Sequence, residues 1–283
     1  MPNVSLRGVL QSFLTRLYLS SYGASAHDKI LIFMALLSEQ VSKVARTDFF
    51  VCHASRLWRL SKVRVKSLVF RLIDRVSFNI LLPDFEPETQ RVIRTHLRSG
   101  CVFMDVGAHL GKYTIPAAKA VGSSGKVIAL EPHPLNYALL LENIKMNNVE
   151  DRVITLNIAA WDKSARLPLY IAHASGQHSL LSGIGPTIFV CCNTLDNIVQ
   201  EHALERVDLV KIDAEGAEVH ILRGARWLLG SLRPDVVVEV RHHNLPAVQR
   251  ILERHNYIWR SLDEYREHTI ILAKAREKGW GRL

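Results

Sequence analysis

The chain has 283 residues, of which 48% are hydrophobic, enough for one large domain and a modest extension. Its formal net charge is +9, and residues 1–98 hold nearly all of the excess, with 15 Lys and Arg against 7 Asp and Glu. Four cysteines without a Cys-x-x-Cys pair argue against a disulfide or zinc scaffold and predict buried free thiols in a reducing, cytoplasmic compartment.

Two helices are predicted at the N-terminus, over residues 4–20 and 27–46. The second contains eight consecutive apolar residues, 30–37, far fewer than a membrane span needs, and no cleavable signal is evident. We expect the helices to pack on the core domain, with binding at a membrane surface as the alternative. The basic excess of this region is either a solvated surface or a face for anionic membrane, nucleic acid or acidic glycan.

Short strands with interleaved basic residues are predicted between residues 63 and 82, followed by a helix over 88–97. The next segment, 102–114, has the pattern of a buried strand, a glycine turn and a helix start. Its glycines, Gly107 and Gly111, have the spacing Gly-x-x-x-Gly, which disfavours a dinucleotide site. Asp105 would repel a phosphate but suits a sulfonium or an amino group. The turn therefore indicates S-adenosylmethionine (SAM) rather than NAD, the alternative being an ordinary strand-to-helix corner.

A second apolar strand, residues 126–130, ends in Glu131, which follows Gly107 by 24 residues. An acid at this position can accept hydrogen bonds from two ribose hydroxyls. A helix over 135–147 and a third strand over 153–160 continue the alternation, and we expect the adenine to lie near Ala160 and Trp161. Trp161 as an ordinary part of the core is an equally good interpretation. A strand over 165–170 leads to the polar segment 173–179, which either closes over the acceptor or is a flexible connection.

The last third of the chain predicts strands over 204–212 and 235–240, helices over 213–229 and 245–254, and a closing hairpin of residues 257–262 and 268–273. Helices that alternate with apolar strands indicate a parallel α/β sheet. In such sheets, ligands bind at the carboxyl edge.

The glycine turn and Glu131-Pro132 resemble the cofactor site of class I SAM-dependent methyltransferases. The sequence Asn193-Thr194-Leu195-Asp196, followed in residues 208–218 by Asp-x-x-Lys-x-Asp-x-Glu-Gly-x-Glu, resembles the FkbM-type members of that class. The resemblance covers residues 63–275. It implies a Rossmann-like fold, with a mostly parallel seven-stranded sheet and helices on both faces.

The same resemblance implies O-methylation of sugar or polyketide hydroxyls, with residues 163–195 as a variable insert. The domains would be a basic helical extension, 1–62, and a methyltransferase domain, 63–283, with a β-rich lead-in over 63–98. The implied SAM site comprises Asp105, Gly107, His109, Gly111, Tyr113, Glu131, Pro132, Ala160, Trp161 and Asp213.

Methyl transfer to a hydroxyl needs an in-line arrangement and a group that takes the proton. Asp213 is the predicted base, and Lys211 lies two residues earlier on the same strand, hence on the same face. Glu215 and Glu239 are further catalytic candidates. Glu215 and Glu218 could cap the helix start or hold sugar hydroxyls, and Glu239 and His242 are the next candidate bases after Asp213. Lys211 and Glu218 fit a structural ion-pair network equally well. Paired carboxylates also permit a divalent metal, although no metal site is assigned.

Three functions follow from these patterns. The first is O-methylation of a glycan or another hydroxylated small molecule. The second is RNA methylation, motivated by the basic N-terminal third, but Asp213-Ala214-Glu215-Gly216 stands where base N-methyltransferases usually carry Asn/Asp-Pro-Pro-aromatic. The third is a non-catalytic SAM-fold binding module, against which the intact glycine turn and Glu131 argue.

Overall fold

The computed structural model describes residues 6–45, 49–183 and 185–279 and divides the chain into two compact units, Met1–Leu82 and Pro83–Leu283. The division differs from the predicted one after residue 62, because the strands that follow residue 62 belong with the N-terminal helices. It also separates the charges. Residues 1–82 contain 12 Lys and Arg against 4 Asp and Glu, whereas residues 83–283 contain 24 against 23.

The first unit consists of helices and one β-hairpin: α1 (Leu6–Ser20), α2 (Ala26–Ala45), α3 (Phe49–Leu60), β1 (Lys62–Val65), β2 (Leu68–Arg71) and α4 (Arg75–Asn79). Glu39 of α2 joins three of the helices. Its carboxylate accepts hydrogen bonds from Nε1 of Trp58 on α3 at 2.8 Å and from Nη1 of Arg75 on α4 at 2.6 Å. The two predicted N-terminal helices are confirmed within the described residues.

Helix α4 replaces a predicted strand. The apolar residues 76–82 were compatible with a strand, but Asp74 accepts the N–H of Ser77 at 2.8 Å, and the Ser77 hydroxyl accepts the N–H of Asp74 at 3.0 Å. This reciprocal capping starts a helix. The strand prediction for residues 76–82 is therefore wrong.

The described part of the second unit contains ten strands: β3 (Val102–Val106), β4 (Lys126–Leu130), β5 (Val153–Leu156), β6 (Ala159–Ala160), β7 (Ala165–Tyr170), β8 (Thr187–Asn193), β9 (Leu209–Ile212), β10 (Asp235–Arg241), β11 (Tyr257–Glu264) and β12 (His268–Ala275). Seven form a sheet in the order β11-β12-β10-β9-β3-β4-β5. Neighbours from β10 to β5 are parallel, and β12 is antiparallel to both of its neighbours. The predicted mostly parallel, Rossmann-like architecture is confirmed.

Helices occupy the connections: α5 (Pro87–His96), α6 (Thr114–Val121), α7 (Pro134–Met146), α8 (Leu195–Glu201), α9 (Glu218–Arg223) and α10 (Leu245–Arg254). The central strands are covered on both faces, since every residue of β9 and most of β3, β4 and β10 are buried. Their carboxyl ends place the turns after Val106, Leu130, Ile212 and Arg241 along one edge of the sheet.

Three predicted elements differ in extent. The strand predicted over 204–212 is shorter, because β9 begins at Leu209. The strand predicted over 153–160 is divided between two sheets, because β5 pairs with β4 whereas β6 joins β7 and β8 in a separate three-stranded sheet. The helix predicted over 213–229 is shorter: α9 ends at Arg223, and a separate π-helical turn covers Leu228–Leu232. Gly224 lies between them, and a Cβ there would lie 2.2 Å from the carbonyl oxygen of Trp161, so a close backbone approach interrupts the helix.

The described ranges include the side chains of three of the four cysteines. Cys101, Cys191 and Cys192 are free thiols, but only Cys192 is buried, so the prediction of burial is wrong for Cys191, which is exposed. The Cys52 side chain lies outside the described residues. No helix of these ranges is long and apolar enough to cross a membrane.

Candidate active site

The turn after β3 is built around two glycines with positive φ, Gly107 at +81° and Gly111 at +95°. A Cβ on Gly107 would lie 1.9 Å from the carbonyl oxygen of Asp213, and one on Gly111 would lie 2.9 Å from Cδ1 of Leu140. Gly107 therefore leaves room for the backbone that follows β9. The N–H of Asp213 donates to the carbonyl of Val106 at 3.0 Å, so the two turns interlock.

The N–H groups of this turn already have partners. Gly107 and Ala108 donate to the carbonyl of Leu130 at 3.0 and 2.9 Å, and His109 donates to Oε2 of Glu131 at 2.8 Å. A dinucleotide site uses such groups for the pyrophosphate. Occupied donors beside carboxylates suit a cationic ligand instead, so the geometry fits the sulfonium of SAM better than NAD.

Glu131 lies immediately beyond β4 and is buried. Burial raises the pKa of its carboxyl to about 7, although the N–H groups of His133 and His109 act against this rise. The His133 N–H donates to Oε1 at 2.9 Å. Oε1 also accepts from Nδ2 of Asn136 at 3.5 Å, whereas Oε2 has the His109 N–H as its donor and retains a lone pair for a ribose hydroxyl. Asn157 secures this corner by donating to the carbonyls of Glu131 and Pro132 at 2.8 and 3.1 Å.

The polar segment 173–179 lies over these cofactor residues. Oγ of Ser175 is 2.9 Å from Nε2 of His109, and the Ser175 carbonyl accepts from Nδ2 of Asn136 at 2.8 Å. The ring of His178 packs on that of His133, with centroids 4.1 Å apart. Of the two interpretations left open by the sequence, the contacts favour a closing segment, but at the Glu131 end of the site.

Trp161 follows β6 and lies in the core. Its backbone N–H donates to the carbonyl of Asn193 at 2.9 Å, and its indole ring stacks on the ring of His220 with centroids 4.0 Å apart. His220 in turn is 2.6 Å from Asp162 through Nδ1. These contacts supply the structural role for Trp161, and the adenine contacts of Ala160 and Trp161 remain predictions.

Lys211 of β9 lies between two acids, Asp105 and Asp213. Asp105 of β3 is its partner in the register of the two strands. Nζ of Lys211 lies 3.1 Å from Oδ2 of Asp213. Burial alone would lower the pKa of Lys211, but Asp213 and Asp105 outweigh it and raise that pKa above its usual range. Asp105 accepts from Oγ1 of Thr114 at 2.6 Å, and burial raises its pKa although Lys211 opposes the rise. Lys211 thus orients the more exposed Asp213.

Glu215 and Glu218 occupy the turn into α9. Oε2 of Glu215 is 3.2 Å from Nη2 of Arg241, whereas Oε1 of Glu218 accepts the N–H of Gly216 at 2.8 Å. Burial, with the charge of Asp213 adding to it for both groups, raises each pKa to about 7. Glu218 therefore holds the turn, and Glu215 is tied to β10.

Glu239 of β10 lies near the same group of charges. Burial and then the charges of Asp213 and Glu86 raise its pKa to about 10, which favours the protonated form of Glu239. Oε1 of Glu239 is 3.7 Å from Nε2 of His268. His242, the other candidate base at this strand end, is instead directed to the hairpin, with Nε2 3.1 Å from the carbonyl oxygen of Tyr265.

Two functional candidates were absent from the sequence prediction. Glu86 is buried, adopts a positive φ of 51°, and accepts a hydrogen bond from the Tyr113 hydroxyl. Nζ of Lys112 is 3.9 Å from Glu86 and 4.6 Å from the centroid of the Tyr113 ring, and burial lowers its pKa to about 8. Because Nζ of Lys211 is 5.0 Å from the centroid of the same ring, Tyr113 links this pair to Lys211. An acid before Pro87 was the only local signal of Glu86.

The predicted residues therefore form two groups. Glu131, His109 and Pro132 surround the end of β4, and Asp105, Lys211, Asp213, Glu215 and Glu239 surround the ends of β3, β9 and β10. Among the described residues, no three His, Cys, Asp or Glu side chains are arranged to hold a metal ion.

Residues 105–269, more than half of the chain, match the methyltransferase FkbM domain. The methyltransferase sdnD of Sordaria araneosa is 26% identical over 56% of this chain and 74% of its own length. The hexuronic acid methyltransferase AglP of Haloferax volcanii is 26% identical over 73% of this chain and 76% of its own length.

A solved structure of a methyltransferase FkbM from Methylobacillus flagellatus is 16% identical, with a TM-score of 0.47. The alignment covers 93% of this chain and 58% of that one, so the chain spans little more than half of that protein.

Proposed function

The chain belongs to the methyltransferase FkbM family, whose cofactor is SAM, and we propose that it methylates a hydroxyl oxygen of a glycan or another hydroxylated small molecule. The observation that carries the proposal is the Lys211–Asp213 pair at the carboxyl edge of the sheet. Around it, a carboxylate that accepts hydrogen bonds, Asp213, lies near a protonated carboxyl that donates them, Glu239. Hydroxyl groups both donate and accept, so this combination suits them.

The acids around this pair have cationic partners. Lys211 lies 3.1 Å from Asp213, Arg241 lies 3.2 Å from Glu215, and Lys112 lies 3.9 Å from Glu86. A hydroxyl suits such a set of paired polar groups because it can both donate and accept hydrogen bonds. The similarity to a relative that acts on hexuronic acid supports a sugar as the molecule that carries this hydroxyl.

In the proposed reaction, SAM supplies an electrophilic methyl group, and the chain supplies positioning and proton transfer. The acceptor hydroxyl donates to Oδ2 or Oδ1 of Asp213, which takes the proton as the new C–O bond forms and the methyl–sulfur bond breaks, its electron pair remaining on sulfur. Lys211 orients Asp213 through the ion pair of 3.1 Å. A positioned base contributes about 10²–10⁴-fold to the rate.

The test is methyl transfer from labelled SAM to glycans, lipid-linked sugars and RNA, with Asp213→Asn as the variant. We expect turnover to fall about 10²-fold or more while SAM affinity changes little. Lys211→Met should lose less, because it acts through Asp213. The matched control is Asp208→Asn, which loses a carboxylate paired with Arg206 just before β9 and hence away from the carboxyl edge.

Four results would contradict the proposal. Normal turnover by Asp213→Asn would remove Asp213 as the base. Equal losses in Asp213→Asn and Asp208→Asn would show that only ion-pair stability was affected. Label on RNA alone would establish RNA methylation, the second candidate function, whereas SAM binding with no acceptor labelled by wild-type protein would favour the non-catalytic module.

We further propose that the first unit binds an anionic membrane surface, with the protein peripheral to it on the cytoplasmic side. Helix α2 exposes one apolar stripe, Ile30, Met34, Leu37 and Val41, each 36–59% exposed. Helix α1 exposes a second: Phe13, Leu14, Leu17 and Tyr18. Large exposed apolar faces mark interaction surfaces.

Charge and side-chain type favour lipid as the partner. Residues 1–82 have a balance of +8, and the first acid in the chain is Asp28. Apolar stripes beside basic residues are typical of helices that lie at an anionic membrane interface. Nucleic acid would use the positive charge but not the non-aromatic stripe of α2, since single strands bind by aromatic stacking and phosphate contacts.

Cosedimentation with vesicles tests this proposal. Wild-type protein should bind vesicles of phosphatidylcholine with about one third phosphatidylglycerol, lose binding in pure phosphatidylcholine, and bind less as salt increases. Met34→Glu with Leu37→Glu should abolish binding. The control is Gln11→Glu with Gln40→Glu, the same charge change at exposed polar positions. Equal effects of both pairs, RNA binding without vesicle binding, or loss only of self-association in the apolar-face variant would refute a membrane role.

A further inference from the structure

A groove of about 390 Å³ lies between α9 and α10 in the second unit. Four arginines line it: Arg223, Arg226, Arg250 and Arg254. Arg223 is the last residue of α9, and Arg250 and Arg254 are one turn apart on α10, hence on the same face. Leu222 and Ile251 add apolar lining. The groove therefore combines a positive wall with apolar surface.

The four arginines are exposed, and within the described residues no hydrogen bond or ion pair forms on their side chains. No acid lines the groove. By contrast, Arg206, Arg233 and Arg241 of the same unit are each paired with a carboxylate. Like charges gathered in one concavity add their potentials, so the groove attracts anions.

The groove is separate from the candidate active site. Strands β9 and β10 are parallel, so α9 and the turn after it run from the carboxyl edge back to the amino edge. Strand β11 runs in the same direction as β10, since both are antiparallel to β12, so α10 does likewise. The arginines near the ends of these helices thus lie toward the amino edge, away from Asp213.

We propose that this groove is a second ligand site, which binds the diphosphate group of a phosphorylated small molecule or lipid. Guanidinium groups hold phosphate oxygens through paired hydrogen bonds and stay charged. Four of them match a ligand with several negative charges better than a single carboxylate. The volume is that of a small-molecule site, whereas a nucleic-acid duplex needs a far longer surface.

Calorimetry on the full chain at low salt tests the site, with pyrophosphate and orthophosphate as the probes. Pyrophosphate should bind more tightly than orthophosphate, and its affinity should fall as salt increases. Arg250→Gln with Arg254→Gln should weaken pyrophosphate binding about tenfold or more. Arg223→Gln with Arg226→Gln is a second, independent variant. The matched control is Arg94→Gln with Arg98→Gln, two exposed arginines that are also four residues apart.

Competition measurements distinguish a soluble source of the diphosphate from a lipid source. Competition by a soluble sugar diphosphate assigns a free ligand, and competition only by vesicles with a lipid diphosphate assigns a lipid; either supports the site. Equal weakening in the groove variants and the control would show general charge attraction and overturn it. Absence of pyrophosphate binding by wild-type protein, or displacement by short RNA at lower concentration than by pyrophosphate, would also overturn it.

Discussion

Gly107→Ala tests whether the turns after β3 and β9 are interlocked. Two costs are expected. The first is the positive φ of +81°, which costs an L-residue about 1–2 kcal/mol. The second is contact, because the new Cβ would lie 1.9 Å from the Asp213 carbonyl oxygen, where real Cβ atoms essentially never come under 3.0 Å. The two turns must separate by about 1 Å, which weakens the 3.0 Å hydrogen bond from Asp213 to Val106.

Gly100→Ala carries the first cost alone, so the difference between the two variants measures the second cost. Gly100 has a φ of +83°, but its new Cβ would meet nothing closer than Oγ of Ser124 at 3.7 Å. We expect Gly100→Ala to lower the free energy of unfolding by about 1–2 kcal/mol and Gly107→Ala by more than about 4 kcal/mol. Urea denaturation of the second unit, followed by hydrogen exchange at the Asp213 amide, measures both. Equal losses in the two variants would refute the interlocking of the turns.

Further predictions concern two glutamates whose raised pKa values change binding or stability with pH. Ribose hydroxyls donate to the ionised form of Glu131, so SAM affinity should rise as pH increases toward about 7 and then level off. Calorimetry should show that Glu131→Gln removes this pH dependence. An unchanged pH dependence in the variant would exclude Glu131 from the SAM site. Glu218 has a folded pKa of about 7 against an ordinary value of 4.5, so its contribution to stability is complete below pH 4.5 and is lost as pH rises through 7. Glu218→Gln should therefore flatten the decline in the denaturation midpoint over this range, and an identical decline would contradict the burial argument.

The sequence predicted the central sheet well because several of its strands are short apolar runs followed by glycine or an acid. Val102–Val106, followed by Gly107, and Lys126–Leu130, followed by Glu131, illustrate this pattern. The failures have tertiary causes. Residues 153–160 form one apolar stretch, yet β6 leaves the main sheet to pair with β8, a partner more than 25 residues away. The capping pair Asp74 and Ser77, rather than the hydrophobic pattern, determines that residues 76–82 begin as a helix.

The candidate site shows the same division. Lys211 and Asp213 could be associated from sequence because residues two apart on a strand share a face. Glu86 could not, since it lies 27 residues before Tyr113 and only the fold brings its carboxylate to the Tyr113 hydroxyl. The reason for Gly107 was missed for the same cause, as its neighbour Asp213 belongs to another strand.

The segment 173–179 has a kinetic consequence. Its contacts with His109, Asn136 and His133 cover the end of the site where the ribose is expected, so a nucleoside ligand exchanges only when these contacts break. Release of the demethylated cofactor would then wait on local opening, a motion that limits turnover in many enzymes. Under that condition, loosening the Ser175 contacts would accelerate steady-state turnover even as it weakened cofactor retention.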